Sequence, residues 1–281
     1  MCKIGCNVDG LLKLNEARLR PGTRPALPVK EEMRLRQHEA TFLEGECAAI
    51  ATRAATAPSA PQAFMQWFED LRETGPGQND PLFPWLATDA TLDQVRWFLT
   101  QEVAGEAGFD DLVALTQLKL PVRAKLELAR NYWDEMGRGK QSGMHGPMLD
   151  RLARELAVDR SDEPIVPESI ALSCLLVGLA ANRHYAYQSI GALGVIELTA
   201  PGRAAYVDTA LTRLGVGTKA KQYYALHAVL DVKHSAAWNA EIIAPLVSVD
   251  PSLTRPIAEG ALMRLNAGAK CFERYRAHFK I

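Results

Sequence analysis

The chain has 281 residues, 48% of them hydrophobic, and its 32 basic and 33 acidic residues give a net charge of −1. This balance disfavours a nucleic-acid-binding protein, which usually carries clustered excess lysine and arginine. No window approaches the ~20 apolar residues of a membrane-spanning helix. The first residues also lack the apolar core of a signal peptide. We therefore expect a cytoplasmic protein without membrane or nucleic-acid partners.

The five cysteines do not form an obvious disulfide or zinc pattern. They are Cys2, Cys6, Cys47, Cys174 and Cys271. Their number is odd, their spacing is mostly long, and no export signal precedes them, so reduced thiols are the simplest expectation. The first two form a CxxxC pair, but no second Cys/His pair with zinc spacing accompanies it.

Helical patterns dominate the chain, and strict alternation of β-branched residues is nearly absent. Pro21, Pro25 and Pro28 mark residues 1–30 as an irregular lead-in. The later linkers are short, which favours a single all-α domain over residues 31–281. In chain order, helices are predicted over residues 30–55, 62–73, 91–118, 121–138, 145–157, 168–198, 201–215, 218–247 and 257–278.

Local signals define several ends of these helices. Residues 75–84, GPGQNDPLFP, are predicted to form a loop. Thr91 is a suitable N-cap for the helix that follows, and Pro121 suits a first helical turn. The glycine cluster at residues 137–143 predicts a bend or a restart, because glycine is costly inside a helix.

The stretch HAVLDVKH places His227, Asp231 and His234 on one side of a predicted helix. At ~100° of rotation per residue, the three side chains fall within a sector of roughly 60° over two turns. Two imidazoles and a carboxylate suit iron, manganese or zinc. The alternative is a helix with satisfied surface or core histidines. One helix cannot complete a metal's coordination, so further ligands must come from facing helices.

Two other stretches offer such ligands. In NYWDEMGRGKQSGMH, Glu135 and His145 are ten residues apart. They would differ by roughly 80° on a straight helix, so only a bend at the intervening glycines would align them. Glu197 follows GALGVI, whose small residues permit close helix approach, so its carboxylate is predicted to be partly buried and to need a partner. That partner is either a metal or Arg203 in a structural salt bridge.

Glu102 and Glu106 are separated by four residues and share one face of the helix predicted over residues 91–118. Like charges at this spacing are mildly unfavourable unless a cation lies near them. Solvation of both carboxylates is the more common arrangement.

The order of Glu135 with His145, then Glu197, then HxxxDxxH resembles the haem-oxygenase-like diiron oxidases and oxygenases, also called iron-containing redox enzymes. The segments ARNYWDEMGRG and MHGPMLDRL look like the most recognisable stretch of that family. The resemblance covers roughly residues 90–250. It implies an all-α, haem-oxygenase-like bundle of about seven core helices, to which this chain adds N-terminal helices.

The resemblance also implies a ligand set and two irons per chain, cycling between Fe(II) and Fe(III) with O2 as cosubstrate. Three core helices would supply six ligands: Glu135, His145, Glu197, His227, Asp231 and His234. Glu197 would bridge the irons. Family members known for N-oxygenation look as if they add one more carboxylate ligand from an upstream helix. We prefer Glu106 to Glu102 for this role because it lies nearer in sequence to the other ligands.

The implied activity is oxidation of a small amine, amino acid or organic acid in specialised metabolism, by N-oxygenation, desaturation with C–C cleavage, or decarboxylation. Arg183 or Lys233 is a candidate for holding a substrate carboxylate. A homodimer is expected from the resemblance, and the aromatic residues 64–68 are either its interface or core.

Three alternatives remain open at this point. One is a non-catalytic helical binding protein, and another is a cofactor-free oxidase of the same fold. A haem-degrading enzyme is the third, but His38 and GALG are too generic to support it.

Overall fold

The computed structural model describes residues 8–158 and 164–281, which form an all-α bundle without a β-strand. The all-α prediction is therefore confirmed. The helices are α1 (Val8–Leu19), α2 (Val29–Ala54), α3 (Pro61–Thr74), α4 (Leu82–Thr88), α5 (Leu92–Gly105), α6 (Phe109–Thr116), α7 (Val122–Glu135), α8 (His145–Glu155), α9 (Pro167–Ala181), α10 (Ala186–Arg213), α11 (Gln222–Trp238), α12 (Ala244–Val249) and α13 (Thr254–Phe279).

The irregular lead-in predicted over residues 1–30 is wrong for Val8–Leu19, which form α1. Leu11 is buried on this helix. Arg18 also forms a buried ion pair with Glu39 of α2, with 2.6 Å between Nη2 and Oε1. These contacts with distant residues stabilise a helix that the prolines following it had obscured. The division of the chain into a lead-in and one domain stays a prediction.

Thr91 begins α5 as predicted. Its hydroxyl accepts a hydrogen bond from the backbone N–H of Gln94, whose side chain accepts one from the Thr91 N–H. This reciprocal capping satisfies donors that the first turn of a helix leaves unpaired. The loop predicted over residues 75–84 is wrong at its end, because Leu82 already begins α4.

The single helix predicted over residues 91–118 is interrupted between α5 and α6. Ala107 and Gly108 have φ of +67° and +75°, a left-handed conformation that ends a helix. The Glu106 carboxylate accepts hydrogen bonds from the N–H groups of Gly108 (2.8 Å) and Phe109 (3.0 Å). The break therefore places this carboxylate at the start of α6 instead of on the face of a continuous helix.

The boundary predicted between residues 198 and 201 is also wrong, although the outer ends at 168 and 215 agree with the start of α9 and the end of α10. The chain breaks earlier, at the 3₁₀ turn Arg183–Tyr185, and Pro201 lies inside the long helix α10. Proline has no N–H to donate to the carbonyl four residues before it, here that of Glu197. Extensive packing of α10 against α11 and α13 keeps the helix continuous through this position.

Close approach of α10 and α13 forms the centre of the bundle. A β-carbon at Gly191 would lie 1.9 Å from the carbonyl oxygen of Ile257, and one at Gly260 would lie 1.8 Å from that of Gln188. Both distances are impossible for a real side chain, so these positions require glycine. The close helix approach predicted from GALG is confirmed.

Helix α11 packs on the other side of α10. A β-carbon at Gly194 would lie 2.5 Å from Trp238 Nε1, which donates a hydrogen bond to the carbonyl of Ile190 (3.2 Å). After Trp238 the chain passes through one π-helical turn, Asn239–Ile243, before α12. The helix predicted over residues 218–247 therefore begins later, at Gln222, and continues through the π-helical turn into α12, with its N-terminal part fixed against α10.

The aromatic residues of α3 belong to the core. Phe64 and Phe68 are fully buried, and Trp67 stacks on Phe64 with ring centroids 5.5 Å apart. Of the two alternatives for residues 64–68, the structure supports core, and the dimer itself stays a prediction.

Three of the cysteines are free thiols, as predicted: Cys47, Cys174 and Cys271. Cys2 and Cys6 lie outside the described residues. Across residues 8–158 and 164–281, no helix combines the length and apolar character needed to span a membrane.

Candidate metal centre

Glu135 and His145 meet because the chain turns sharply between α7 and α8. Gly137 and Gly139 have φ of +61° and +79°, and a β-carbon at Gly137 would lie 2.5 Å from the carbonyl carbon of Gly143. The turn leaves Glu135 Oε2 at 2.8 Å from His145 Nδ1. The bend predicted from the glycines is therefore confirmed, and it aligns two side chains that a straight helix would separate.

Helix α11 presents one polar face to the interior. His227, Asp231 and His234 are buried, whereas Val229 and Val232 are 65% and 57% exposed. This inverts the usual arrangement, in which the apolar side of a helix faces the core. The prediction that the three polar side chains share one face is confirmed, and that face points inward.

A first group of donor atoms contains Glu135, His145 and His227. His145 Nδ1 lies 3.0 Å from His227 Nε2, and Glu135 Oε2 lies 2.8 Å from the former and 3.7 Å from the latter. The other nitrogen of His227, Nδ1, donates to the carbonyl of Tyr223 (2.7 Å). That bond directs the lone pair of His227 Nε2 towards the group.

A second group surrounds His234. Its Nε2 lies 3.3 Å from Asp134 Oδ2 and donates to it, which leaves Nδ1 facing the interior of the cluster. Around this nitrogen lie carboxylate oxygens of Glu135 (3.5 Å), Glu197 (3.6 Å) and Asp231 (4.0 Å). Among the described residues, neither His234 Nδ1 nor Asp231 Oδ1 has a hydrogen-bond partner, although both are buried. A bound cation would satisfy both atoms.

Glu135 belongs to both groups, because the donor sets Glu135/His145/His227 and Glu135/Asp231/His234 each fit within 4.8 Å. The resemblance implied Glu197 as the bridge, but the shared residue is Glu135. Glu197 Oε1 accepts a hydrogen bond from Asn131 (2.7 Å). The alternative salt bridge between Glu197 and Arg203 is not formed, since Arg203 donates to Thr199 instead (3.0 Å).

Two residues of α7 that sequence reasoning missed hold these groups in place. Asn131 fixes Glu197, and Asp134 links His234 to Arg138, whose Nε donates to Asp134 Oδ1 (2.6 Å). Such outer partners set the tautomer and orientation of metal-binding histidines. The signal was present for Asn131, which lies four residues before Glu135 on the same helix face.

The structure separates the carboxylates of Glu102, in α5, and Glu106, just after its end. Glu106 Oε1 lies 2.8 Å from His145 Nε2, which also lies 3.0 Å from the hydroxyl of Tyr223. Glu102, one turn earlier, accepts a hydrogen bond from the hydroxyl of Tyr275 (3.2 Å). Of the two, only Glu106 adjoins the donor groups.

Electrostatics within the cluster are strongly perturbed. Burial raises the pKa of Asp231, and the charges of Glu197 and Glu135 raise it further, to about 9. Burial opposes the protonated form of His234, but its neighbouring carboxylates outweigh this and raise the pKa to about 9. Burial raises the pKa of Glu106, while His145 and two backbone N–H groups lower it to about 2. Positive charge, from a protonated histidine or a bound cation, therefore stabilises the ionised carboxylates of this site.

A cavity of about 150 Å³ adjoins the cluster. Glu106, Glu135, His145, Glu197, His227 and Asp231 line one part of it. Apolar side chains line most of the remainder, but Arg203 and Arg264 also border it. Sequence reasoning singled out neither arginine as a substrate contact.

The cations favoured from the sequence lie elsewhere. The guanidinium of Arg183 donates to backbone carbonyls at the end of α6 and just beyond it, and Lys233 is exposed. Neither lines the cavity, and neither does His38, the histidine considered for haem. The predicted roles of Arg183 and Lys233 as substrate contacts therefore have no support in this geometry.

The donor set fits a non-haem metal site. Three imidazoles and several carboxylates suit iron, manganese or zinc, and helical bundles hold dimetal sites with inward-facing Glu and His side chains. The family model described as iron-containing redox enzyme matches residues 96–269, more than half of the chain. The chain therefore belongs to the iron-containing redox enzyme family. A search of curated proteins found no match.

Proposed function

We propose that the protein is a non-haem diiron oxidase or oxygenase that uses O2 to oxidise a small amine, amino acid or organic acid. The supporting observation is the pair of donor groups that share Glu135. Two separate clusters joined by one carboxylate are the arrangement expected for two metal ions, because a carboxylate has an oxygen to offer each.

The proposal assigns ligands to each iron. Glu135, His145 and His227 hold one, and Glu135, Glu197, Asp231 and His234 hold the other. Glu135 thus replaces Glu197 as the proposed bridge. Glu106 contacts His145 Nε2, the ring nitrogen opposite the Nδ1 that belongs to the donor group, so it orients His145. To serve as the proposed extra ligand it would exchange that hydrogen bond for the metal.

The chain's own residues prepare the site for this role. Buried carboxylates compensate the charge of the cations, and the Tyr223 carbonyl and Asp134 fix the tautomers of His227 and His234. The apolar walls of the cavity limit water beside the ligands. Iron bound here would supply redox chemistry and O2 activation.

Anaerobic titration with Fe(II), followed by metal analysis after desalting, tests the proposal. We expect two irons per chain, and O2 consumption once air and a substrate pool are admitted. Glu135→Ala should lose both irons. His227→Ala should lose one, because it removes a ligand from one group only.

The control is His184→Ala, which removes an exposed histidine outside the cluster and should keep two irons. Iron no higher than background in the folded wild-type protein would contradict the proposal and favour a metal-free binding protein of the same fold. A homodimer is a further part of the proposal, and light scattering of the purified chain tests it.

A further inference from the structure

The cavity extends away from the proposed iron ligands along one face of α10. Glu197, Ala200, Arg203, Ala204 and Val207 line it at successive intervals of three, three, one and three residues, which keeps them on one side of the helix. Glu197 and Arg203 are six residues apart, or roughly 9 Å along the helix axis. The cavity therefore has a metal-ligand end and a distinct arginine end.

Arg203 is held at that end without an ion pair. Its Nη2 donates to the hydroxyl of Thr199 (3.0 Å), and its guanidinium lies 5.7 Å from the ring centroid of Phe272. Within residues 8–158 and 164–281, no carboxylate oxygen lies within 4.0 Å of its nitrogens. The contacts fix the guanidinium but leave its charge unpaired.

Arg264 reaches the same cavity from α13. Its Nε is buried and has no hydrogen-bond partner among the described residues. A β-carbon at Gly268 would lie 2.6 Å from Arg264 Nη1, so the absence of a side chain there makes room for the guanidinium. A buried, unpaired donor is costly, and the packing nevertheless preserves it.

The charges at this end do not balance. Glu102 is the carboxylate that acts on both guanidinium groups. Two cations against one anion leave an excess of one positive charge. Burial lowers the pKa of Arg203 and Arg264, and for Arg203 the neighbouring Arg264 lowers it further. Because desolvated cations are unfavourable without a partner, this end of the cavity favours an anion.

We propose that Arg203 and Arg264 bind a carboxylate of the substrate, which places the atom to be oxidised beside the cluster around Glu135. The inference rests on the proposed function and narrows its substrate class to monocarboxylates such as amino acids and organic acids. The single excess charge matches one carboxylate better than a phosphate dianion. Guanidinium groups also bind carboxylates through paired N–H donors.

Calorimetric titration of the full chain with hexanoate, with hexylamine and with inorganic phosphate tests the inference, with and without Fe(II) under anaerobic conditions. We expect hexanoate to bind in both states and hexylamine not to bind. Arg203→Gln and Arg264→Gln should each weaken hexanoate binding by ~10-fold or more, the loss expected for a charge-assisted hydrogen bond. The matched control is Arg274→Gln, an exposed arginine of the same helix.

Circular dichroism and iron stoichiometry of each variant show whether the fold and the cluster are intact. If a variant does not fold, the wild-type comparison of hexanoate with hexylamine still decides whether the cavity selects an anion. Equal binding of the two probes, unchanged binding in folded arginine variants, tighter binding of phosphate, or binding of hexanoate only through iron would each overturn the inference. Failure to bind iron would overturn the proposed function alone, because hexanoate binding is measured separately.

Discussion

At the scale of single residues, the cluster concentrates buried negative charge around a few positions. Asp231 lies near the carboxylates of Glu135 and Glu197, and their repulsion adds to the cost of burying it. Hydrogen bonds relieve only part of this, since Asp231 Oδ1 has no partner among the described residues. A polypeptide that keeps such a costly arrangement gains from a cation that binds there.

Glu102 and Glu106 should respond differently when the charge of each carboxylate is removed. Glu106→Gln should weaken iron binding on the His145 side by ~10- to 100-fold, the range found when partners of metal-binding histidines are lost. Glu102→Gln should leave iron binding unchanged, because Glu102 contacts Tyr275 and not His145. Competition with a calibrated Fe(II) chelator measures both, and equal losses in the two variants would contradict the assignment.

The buried thiols predict a pH dependence. Burial raises the pKa of Cys174 and of Cys271 to about 12, so both stay protonated in the folded protein near neutral pH. In the unfolded chain a thiol ionises near pH ~8.5. The two thiols therefore contribute stability that is present below that pH and is lost as the pH rises towards 12.

Alkylation with iodoacetamide at pH 8, mapped by mass spectrometry, checks this. Cys174 and Cys271 should stay unlabelled in the native protein, Cys47 should react faster because it is only partly buried, and all three should react in denaturant. Rapid native labelling of Cys271 would contradict its placement in the core.

Residue identities were predictable where one helix carries the pattern. The inward face of α11 follows from spacing alone, and the bend that joins Glu135 to His145 follows from three glycines. Arg264 could not be found in this way, because it reaches the cavity from a helix far along the chain and only tertiary packing brings it near Arg203.

At the scale of helices, the close crossing of α10 and α13 depends on absent side chains. Gly191→Ala should destabilise the protein strongly, because the new β-carbon would overlap the carbonyl of Ile257. Gly202→Ala is the matched control on the same helix, with no neighbouring atom within 4 Å. It should raise the free energy of unfolding by up to ~1 kcal/mol, because alanine is the better helix former.

Urea unfolding of both variants measures the difference. A Gly191→Ala protein as stable as the Gly202→Ala protein would show that α10 and α13 lie farther apart than in this structure.

Helix positions were largely predictable and so was the bend at the glycine cluster, but two other helix boundaries were not. Pro201 suggested a boundary, yet packing on both sides keeps α10 continuous. Residues 91–118 showed unbroken periodicity, yet the chain reverses φ at Ala107 and Gly108. For Pro201 the decisive contacts join distant helices, which a local pattern does not record, whereas the break at Ala107 and Gly108 is capped locally by Glu106.

At the scale of the whole molecule, the cluster connects helices α7, α8, α10 and α11 at one point. Iron that binds the folded state alone stabilises it by an amount that grows with the logarithm of the free iron concentration relative to its Kd. Removing iron with a chelator should therefore lower the melting temperature, and adding Fe(II) back anaerobically should restore it. Asp231→Asn should reduce that response, because it removes a ligand from one of the two groups, whereas His184→Ala should preserve it. Identical melting curves with and without iron would contradict the site.

The face of α10 that lines the cavity carries both a proposed iron ligand, Glu197, and a proposed substrate contact, Arg203. If the guanidinium of Arg203 holds a carboxylate and Glu197 marks the iron end, the spacing of these residues along α10 sets the distance between a substrate's acid group and its oxidised atom. An arginine in place of Ala200, about one turn nearer Glu197, would shorten the distance from the carboxylate to the iron end by roughly 5 Å. An arginine in place of Val207 would lengthen it by about as much. Related enzymes that act on shorter or longer acids could then differ by moving one cation along a single helix.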